Sequence, residues 1–488
     1  MISCIGSSSL ILQPIKFHKP FLNPSNFFIK TPITRTLICR AESSETNNPN
    51  KRNPLKGKEP YRKYPRRSKY GTSRRSILKK TLNQEQLNFT TPISDDPVVA
   101  IIGGGMSGLI CALNLEKRGI KSTVFDTGVH GLGGRMGTRI IDPQPLVFEH
   151  AAQFFTVSDS RFAELVDRWL DKGLVRQWDG TIGELEVGGQ FTPSTSSAPR
   201  YVGVKGMRAL ADSILSQTSM VNVVRPCWIS KIEAFNGRWY LSENGKPQGQ
   251  FDAIVIAHNG KCANRLLGTS GLPMIAKQMK ALNLSAVWAL LAAFEDPLPI
   301  PFEGAFVKGV DSLSWMGNNT NKLFPSQSSG PQCWTFFSTA DFGKRNKVPQ
   351  ENIPNATAER VKEAMIEGVE TALGVPKGSL QKPFYTRVQL WGAALPTNTP
   401  GIPCIFDAQG RAGICGDWLL GSSLEAAALS GMGLANHIAD YLQSGGSSPD
   451  EFSVGLHQEF QPIEGYDIGQ FPSVETKEQV TEPLACVK

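Results

Sequence analysis

Gly103, Gly105 and Gly108 stand in the run GGGMSG, one after another at the spacing of a turn that holds a dinucleotide phosphate. Each glycine has its own task there. Gly103 makes the tight turn, Gly105 lets the backbone approach a pyrophosphate, and Gly108 lets a helix pack closely on a strand. Met106 and Ser107 complete the turn, which leaves amide N–H groups and partial positive charge facing the phosphates. Asp126 follows 23 residues after Gly103, near the ~20 at which a carboxylate accepts from ribose hydroxyls. A second glycine pair, Gly133 and Gly134, runs straight into Arg135 in HGLGGRMGTRI. A nicotinamide dehydrogenase has no need of that second cationic phosphate clamp.

The flanking sequence supplies the elements these residues need. PVVAII before the turn is a short apolar run of buried-strand type. LICALNLEKRG after it has apolar positions that fit a helix of about three turns. STVFD is a second strand, and it ends on Asp126. Strand, turn, helix, strand and acid in that order predict a Rossmann-type dinucleotide-binding domain in an α/β protein. There is one glycine fingerprint of this quality, so a reductase with two Rossmann nucleotide sites is not expected.

These motifs resemble the flavin amine oxidase superfamily, and within it the renalase branch. The resemblance rests on IIGGGMSGLICALNL, VFDTGVHGLGGRMGTR, EHAAQFFT, RYVGVKGMRALADSIL and GICGDWLLGSSLEAAALSGMGLANHI. It covers most of 97–440 and is thin between about 270 and 385. It implies FAD as cofactor, with Arg135 at the phosphates or the isoalloxazine. It also places Gln153 and Phe154 in the segment passing the ring, and Val224 where the backbone meets the adenine. Gly416 and Asp417 fall where the family holds the ribityl chain and second phosphate. RVQLWGAALP lacks the cysteine that covalent branches use in an S-G-G-C segment, so FAD is expected to be non-covalent. The same stretch brings an aromatic ring, Trp391, toward the flavin. Trp288, Trp334 and Trp418 are lesser candidates for pocket walls, and core positions suit all four equally or better. No lysine aligns with the one that many of these oxidases hold near flavin N5, and no catalytic acid or base is nominated.

The implied organisation is a discontinuous FAD domain of amine-oxidase type over 97–160, 200–270 and 405–443. An interleaved α+β substrate domain covers 161–199 and 271–404, and a polar tail covers 444–488, with Phe452, Phe460 and Phe471 as docking candidates. Charge divides the chain differently. Residues 1–96 carry 18 Lys and Arg against 6 Asp and Glu, a net of +12; the other residues carry 33 against 37, a net of −4. Residues 1–40 contain no acid and are rich in Ser and Thr, as in a transit peptide, and the bias favours the chloroplast, with the stroma as destination. Residues 41–96 look like a basic disordered linker. Its 47–80 stretch reads either as solvated chain or, with its interleaved tyrosines, as a tether to nucleic acid or anionic membrane.

Nine cysteines without a C-x-x-C pair and six isolated histidines argue against a metal site. The longest apolar run, SAVWALLAAF, is about half of the ~20 residues a membrane helix needs. Three functions stay open. One is an FAD oxidoreductase taking a hydride from a small reduced heterocycle, such as a dihydronicotinamide, or from an amine. The second is a desaturase-like enzyme acting on an apolar plastid metabolite. The third is a non-enzymatic flavoprotein with an assembly or regulatory role.

Overall fold

The computed structural model describes residues 84–463, apart from 144–145, 197 and 328–329. The chain opens with β1 (Val98–Ile102), helix α1 (Met106–Lys117) and β2 (Lys121–Phe125). The hairpin β3 (Thr138–Ile141) and β4 (Leu146–Glu149) follows, then helix α2 (Ser160–Asp171). Next come β5 (Val175–Gln177), β6 (Ile182–Glu186), β7 (Gln190–Pro193) and β8 (Tyr201–Gly203), the last pairing back on β5. Helix α3 (Met207–Ile214) leads into β9 (Val221–Val224). A meander of β10 (Lys231–Phe235), β11 (Arg238–Glu243) and β12 (Lys246–Phe251) runs on to β13 (Ala253–Ile256), helix α4 (Gly260–Leu267) and helix α5 (Pro273–Ala281).

The second half supplies β14 (Val287–Phe294), β15 (Gly304–Lys308), β16 (Trp315–Asn318), helix α6 (Asn319–Leu323) and β17 (Gln332–Phe337). Helices α7 (Ala340–Arg345) and α8 (Asn355–Leu373) precede β18 (Tyr385–Trp391). The chain closes with β19 (Asn398–Thr399), β20 (Ile405–Asp407), β21 (Ala412–Ile414), helix α9 (Leu424–Gln443), helix α10 (Pro449–Phe452) and β22 (Gln461–Pro462).

Two sheets carry the molecule. The first has the order β20-β21-β13-β1-β2-β9 and is parallel except at β20. Its strands read as nearly continuous apolar runs, VVAII and AIVI among them, because helices and the β10–β12 meander cover both faces. The second has the order β18-β14-β17-β16-β15-β6-β7 and is largely antiparallel. SAVWALLAAF supplies β14, held between the edge strand β18 and β17 and buried along its whole length. No described helix is long and apolar enough to cross a membrane.

The domain boundaries differ from the expected ones in three places. Helix α2 puts Phe162, Leu165, Val166 and Trp169 into the core shared with α1 and α9, so 161–171 packs with the dinucleotide sheet. Helix α5 puts Ile275 and Met279 against the opposite face of that sheet, so the second layer begins at β14 and not at 271. An amphipathic helix has one apolar stripe and accepts whichever face the chain path presents. Finally, residues 84–96 belong to the folded body and not to a disordered linker. Phe89 meets Trp239 edge-on at 5.6 Å and lies under the Arg411 guanidinium, while the Leu87 amide donates to the Gly271 carbonyl. The transit segment and the 47–80 stretch lie outside the described residues. In the tail, Phe452 packs on Tyr441 and Phe460 stacks on Trp418, whereas Phe471 is outside the described residues.

Candidate functional site

The C-terminal ends of the parallel strands gather most of the expected site. Gly103 has φ 122°, and a Cβ there would stand 2.7 Å from the Ala257 carbonyl oxygen. That conformation and that approach both demand glycine. A Cβ on Gly108 would overlap the Gly103 carbonyl oxygen, so the helix packs on the turn as closely as backbones allow. Gly105 differs from both. A Cβ on it would meet nothing closer than the Gly133 carbonyl oxygen at 4.0 Å, and no side chain caps the helix that starts behind it. Open space before an uncapped helix N-terminus fits a phosphate. Met106 and Ser107 are buried in the first turn of α1.

Asp126 sits where β2 ends. Its carboxylate accepts from the Gly104 amide at 2.8 Å and the Gly128 amide at 2.7 Å. Each oxygen keeps a lone pair for a ribose hydroxyl. Val224 lies next to Asp126, but its carbonyl accepts from the Asp126 amide at 3.1 Å. The backbone expected to meet the adenine is thus engaged in the sheet at that oxygen.

The second glycine pair is placed against the first. The Gly133 amide donates to the Gly104 carbonyl at 2.7 Å, and Gly133 and Gly134 have φ 108° and 55°. Arg135 then reaches across. Its guanidinium donates to both oxygens of Asp417, at 2.6 and 2.9 Å, and to the Ala394 carbonyl at 2.8 Å. The Arg135 carbonyl accepts from the Ala152 amide at 2.9 Å. Gly416 is anchored by the Ser430 hydroxyl, which accepts from its amide at 2.9 Å. Arg135, Gly416 and Asp417 therefore come together although 281 positions separate the first two. The residues present fit a dinucleotide with one end at Asp126 and the other at Arg135 and Asp417.

The stretch after β4 approaches the same point. Gln153 is buried, and its Nε2 donates to the carbonyls of Glu149 at 2.6 Å and Ala151 at 3.0 Å. Lys322 holds its other side. The Lys322 ammonium is 0% exposed, donates to Gln153 Oε1 at 2.9 Å and to its carbonyl at 3.2 Å, and lies 5.3 Å from the Trp178 ring centre. Buried Glu149 completes the group, accepting from the Thr138 hydroxyl and the Met207 amide. Burial pushes the Glu149 carboxyl up, against the pull of Lys322, and the same burial draws the Lys322 amine down. Sequence reasoning missed Lys322. It stands alone in NNTNKL, inside the stretch where the resemblance is thin, and its burial has no signature in sequence.

Phe154 opens an aromatic cluster with Trp178 at 5.8 Å, Trp315 at 6.0 Å and Phe306 at 6.5 Å. Trp391 borders it and stacks on His150, with ring centres 5.5 Å apart and planes 11° apart; its indole N–H donates to the His150 carbonyl. Trp288 and Trp334 face the other way, into the core under α8, and Trp418 lies in the core beside the meander. The aromatic walls beside Phe154 are Trp178 and Trp315. Among the described residues no group of His, Cys, Asp and Glu could hold a metal ion.

Residues 101–169 match the family described as an NAD(P)-binding Rossmann-like domain. Solved structures share the wider architecture at low identity. A putative protoporphyrinogen oxidase from Exiguobacterium sp. 255-15 is 12% identical with a TM-score of 0.54, over 71% of this chain and 99% of that one. Cyclohexylamine oxidase from Brevibacterium oxydans IH-35A is 13% identical with a TM-score of 0.52, over 71% and 100%. A putrescine oxidase bound to putrescine is 12% identical with a TM-score of 0.51, over 70% and 99%. The chain thus has the fold of these oxidases, a Rossmann-like dinucleotide-binding domain joined to a second mixed sheet, and its glycine turns, Asp126, Arg135 and Asp417 converge on the Rossmann side.

Proposed function

We propose that the protein is an FAD-dependent oxidoreductase of renalase-like type, holding its flavin without a covalent bond. One observation carries the reading: the second glycine pair packs against the first turn and leads straight into Arg135, which pairs with Asp417. A single-phosphate or structural turn has no use for them. The turn from Gly103 to Gly108 would hold the phosphates, Asp126 the ribose, and Arg135 with Asp417 the second phosphate and ribityl chain. When bound, FAD supplies a hydride acceptor at its ring.

The chain's own residues bind, orient and exclude water. Lys322 keeps Gln153 in one rotamer, and the aromatic cluster beside Phe154 makes its surroundings apolar, with Trp178 and Trp315 tilted 56° and 49° to the Phe154 ring. The donor is an amine or a small reduced heterocycle, and the oxidases of similar fold named for cyclohexylamine and putrescine support the amine. Cys415 supports non-covalent binding, since its side chain is buried in the same core as Cys111. A second reading, a non-enzymatic flavoprotein, draws support from the same aromatic cluster. Phe306 and Trp315 pack at 4.7 Å, and Trp315 and Phe337 are fully buried.

Acid precipitation of the purified protein is expected to leave yellow FAD in the supernatant; flavin in the pellet overturns non-covalent binding. Anaerobic mixing with dihydronicotinamide isomers, amines and reduced heterocycles then separates the two readings. Bleaching by one donor class is expected. FAD present but reduced by none of them makes the non-enzymatic reading the better one.

A further inference from the structure

We propose that Arg139, Arg387 and His150 form a recognition site for an anionic group, a carboxylate or phosphate, carried by the substrate. The proposal rests on the oxidoreductase reading and names a substrate class for it. Residues two apart on a strand share a face, so Tyr385, Arg387, Gln389 and Trp391 line one side of β18. That side meets the β3–β4 hairpin and the residue after it. Tyr385 stacks on Phe148 at 5.7 Å, Gln389 Oε1 accepts from Arg139 at 3.2 Å, and Trp391 stacks on His150. Arg387 falls between these contacts and is exposed. Because β18 ends its sheet, the line opens at a free strand edge.

The charges along this line are unbalanced. Among the described residues, neither Arg139 nor Arg387 forms an ion pair with a carboxylate; Arg139 bonds to the neutral amide of Gln389. Buried Glu149, next to His150 in the chain, is engaged by Thr138 and the Met207 amide. Arg139 and Arg387 act on each other as like charges, an arrangement that costs free energy unless an anion joins it. Two buried nitrogens also lack partners, Arg139 Nε and His150 Nδ1, and His150 is only 8% exposed. Burial, with Arg139, Arg387 and Arg208 around it, holds the His150 pKa down to about 3, so its ring is neutral at physiological pH. Leaving a buried donor unmade is costly, and a carboxylate or phosphate oxygen would satisfy both the guanidinium and a ring N–H.

The position suits a substrate. His150 precedes Gln153 by three residues, and Trp391 precedes Ala394, which accepts from Arg135, by three. An anion held here would place its attached ring along Trp391, beside the proposed flavin side.

The test uses FAD-loaded protein and calorimetric titration with matched probes: nicotinate against nicotinamide, benzoate against benzamide, phenyl phosphate against phenol. The charged member of a pair is expected to bind at least about tenfold tighter than its neutral partner. Arg139→Gln and Arg387→Gln should each remove most of that preference, through the loss of a charge-assisted bond, with the neutral probes unaffected. The pair with the larger preference tells carboxylate from phosphate. Arg387→Lys, on an exposed position, keeps the charge and should keep part of the preference. Melting curves and the flavin spectrum check that each variant is folded. No charge preference in any pair, or a preference that survives both glutamine variants, overturns the proposal. Protein without flavin, or with flavin no donor reduces, overturns the oxidoreductase reading instead.

Discussion

Arg135 makes more contacts than any phosphate clamp requires. It ties Asp417 and the Ala394 carbonyl, and its own carbonyl takes the Ala152 amide, so three distant segments meet on one residue. Arg135→Ala should therefore act twice. FAD affinity should fall roughly 10- to 150-fold through lost charge-assisted bonds, read by titration of the apoprotein. Asp417, buried and left without its partner, should also lower stability in the absence of FAD by about 1–3 kcal/mol, read by urea unfolding. Arg135→Lys should recover only part of both, because an ammonium cannot reproduce the two-pronged contact. Unchanged FAD affinity would remove Arg135 from the site. The glycines and Arg135 were legible because their chemistry is local. Lys322 was not, since a lysine in a polar run looks solvated until a sheet closes over it.

Among the elements, α1 and α9 decide the geometry of the proposed phosphate end. They approach so closely that a Cβ on Gly431 would overlap the Ser107 carbonyl oxygen and stand 3.0 Å from the Cys111 amide nitrogen. Two effects oppose each other at this position. Alanine is a better helix former than glycine by about 1 kcal/mol. Forcing the helices apart in a packed core costs about 1–3 kcal/mol. Backbone atoms cannot turn aside as a flexible side chain can, so the second effect should win. Gly431→Ala should lower the urea midpoint, with a net loss of stability of up to about 2 kcal/mol. A variant more stable than the parent would show that the two helices have room between them. The small-residue character of LSGMGLANHI was visible in sequence; which glycine faces α1 was not, because the helix's rotation about its axis is set by packing.

For the whole molecule, the segment 84–96 changes where the folded body begins. Gln86 donates to Asp407 at 2.8 Å, Ser94 donates to Asp252 at 2.8 Å, and Leu87 and Phe89 pack on the core beside the meander. A chain starting at 84 should melt as the full-length protein does. One starting at 97 loses three partly buried apolar side chains, Leu87, Phe89 and Ile93, worth about 1.5–3 kcal/mol each when fully buried, and should melt several degrees lower. Equal melting temperatures for the two would return 84–96 to the status of a linker. Composition misled here: the segment is short and polar, and its three apolar residues matter only because the folded core receives them, Phe89 against Trp239 and Arg411.

By itself the sequence determined the parts whose physics is local. Strand, glycine turn, helix and acid can be read between 98 and 126 because tight turns, close helix packing and phosphate approach each restrict the residue type at a set spacing. Composition likewise set apart the basic N-terminal stretch from the acidic remainder. Tertiary structure alone decided everything that depends on two remote segments meeting. It brought Asp417 to Arg135, closed Lys322 over Gln153, turned Trp288 and Trp334 away from the site and chose Trp178 and Trp315 in their place. It also laid Arg139 beside Arg387. The physical reason is common to all of them. Burial, pairing and the direction a side chain faces are properties of a packed surface, and no single strand or helix contains that surface.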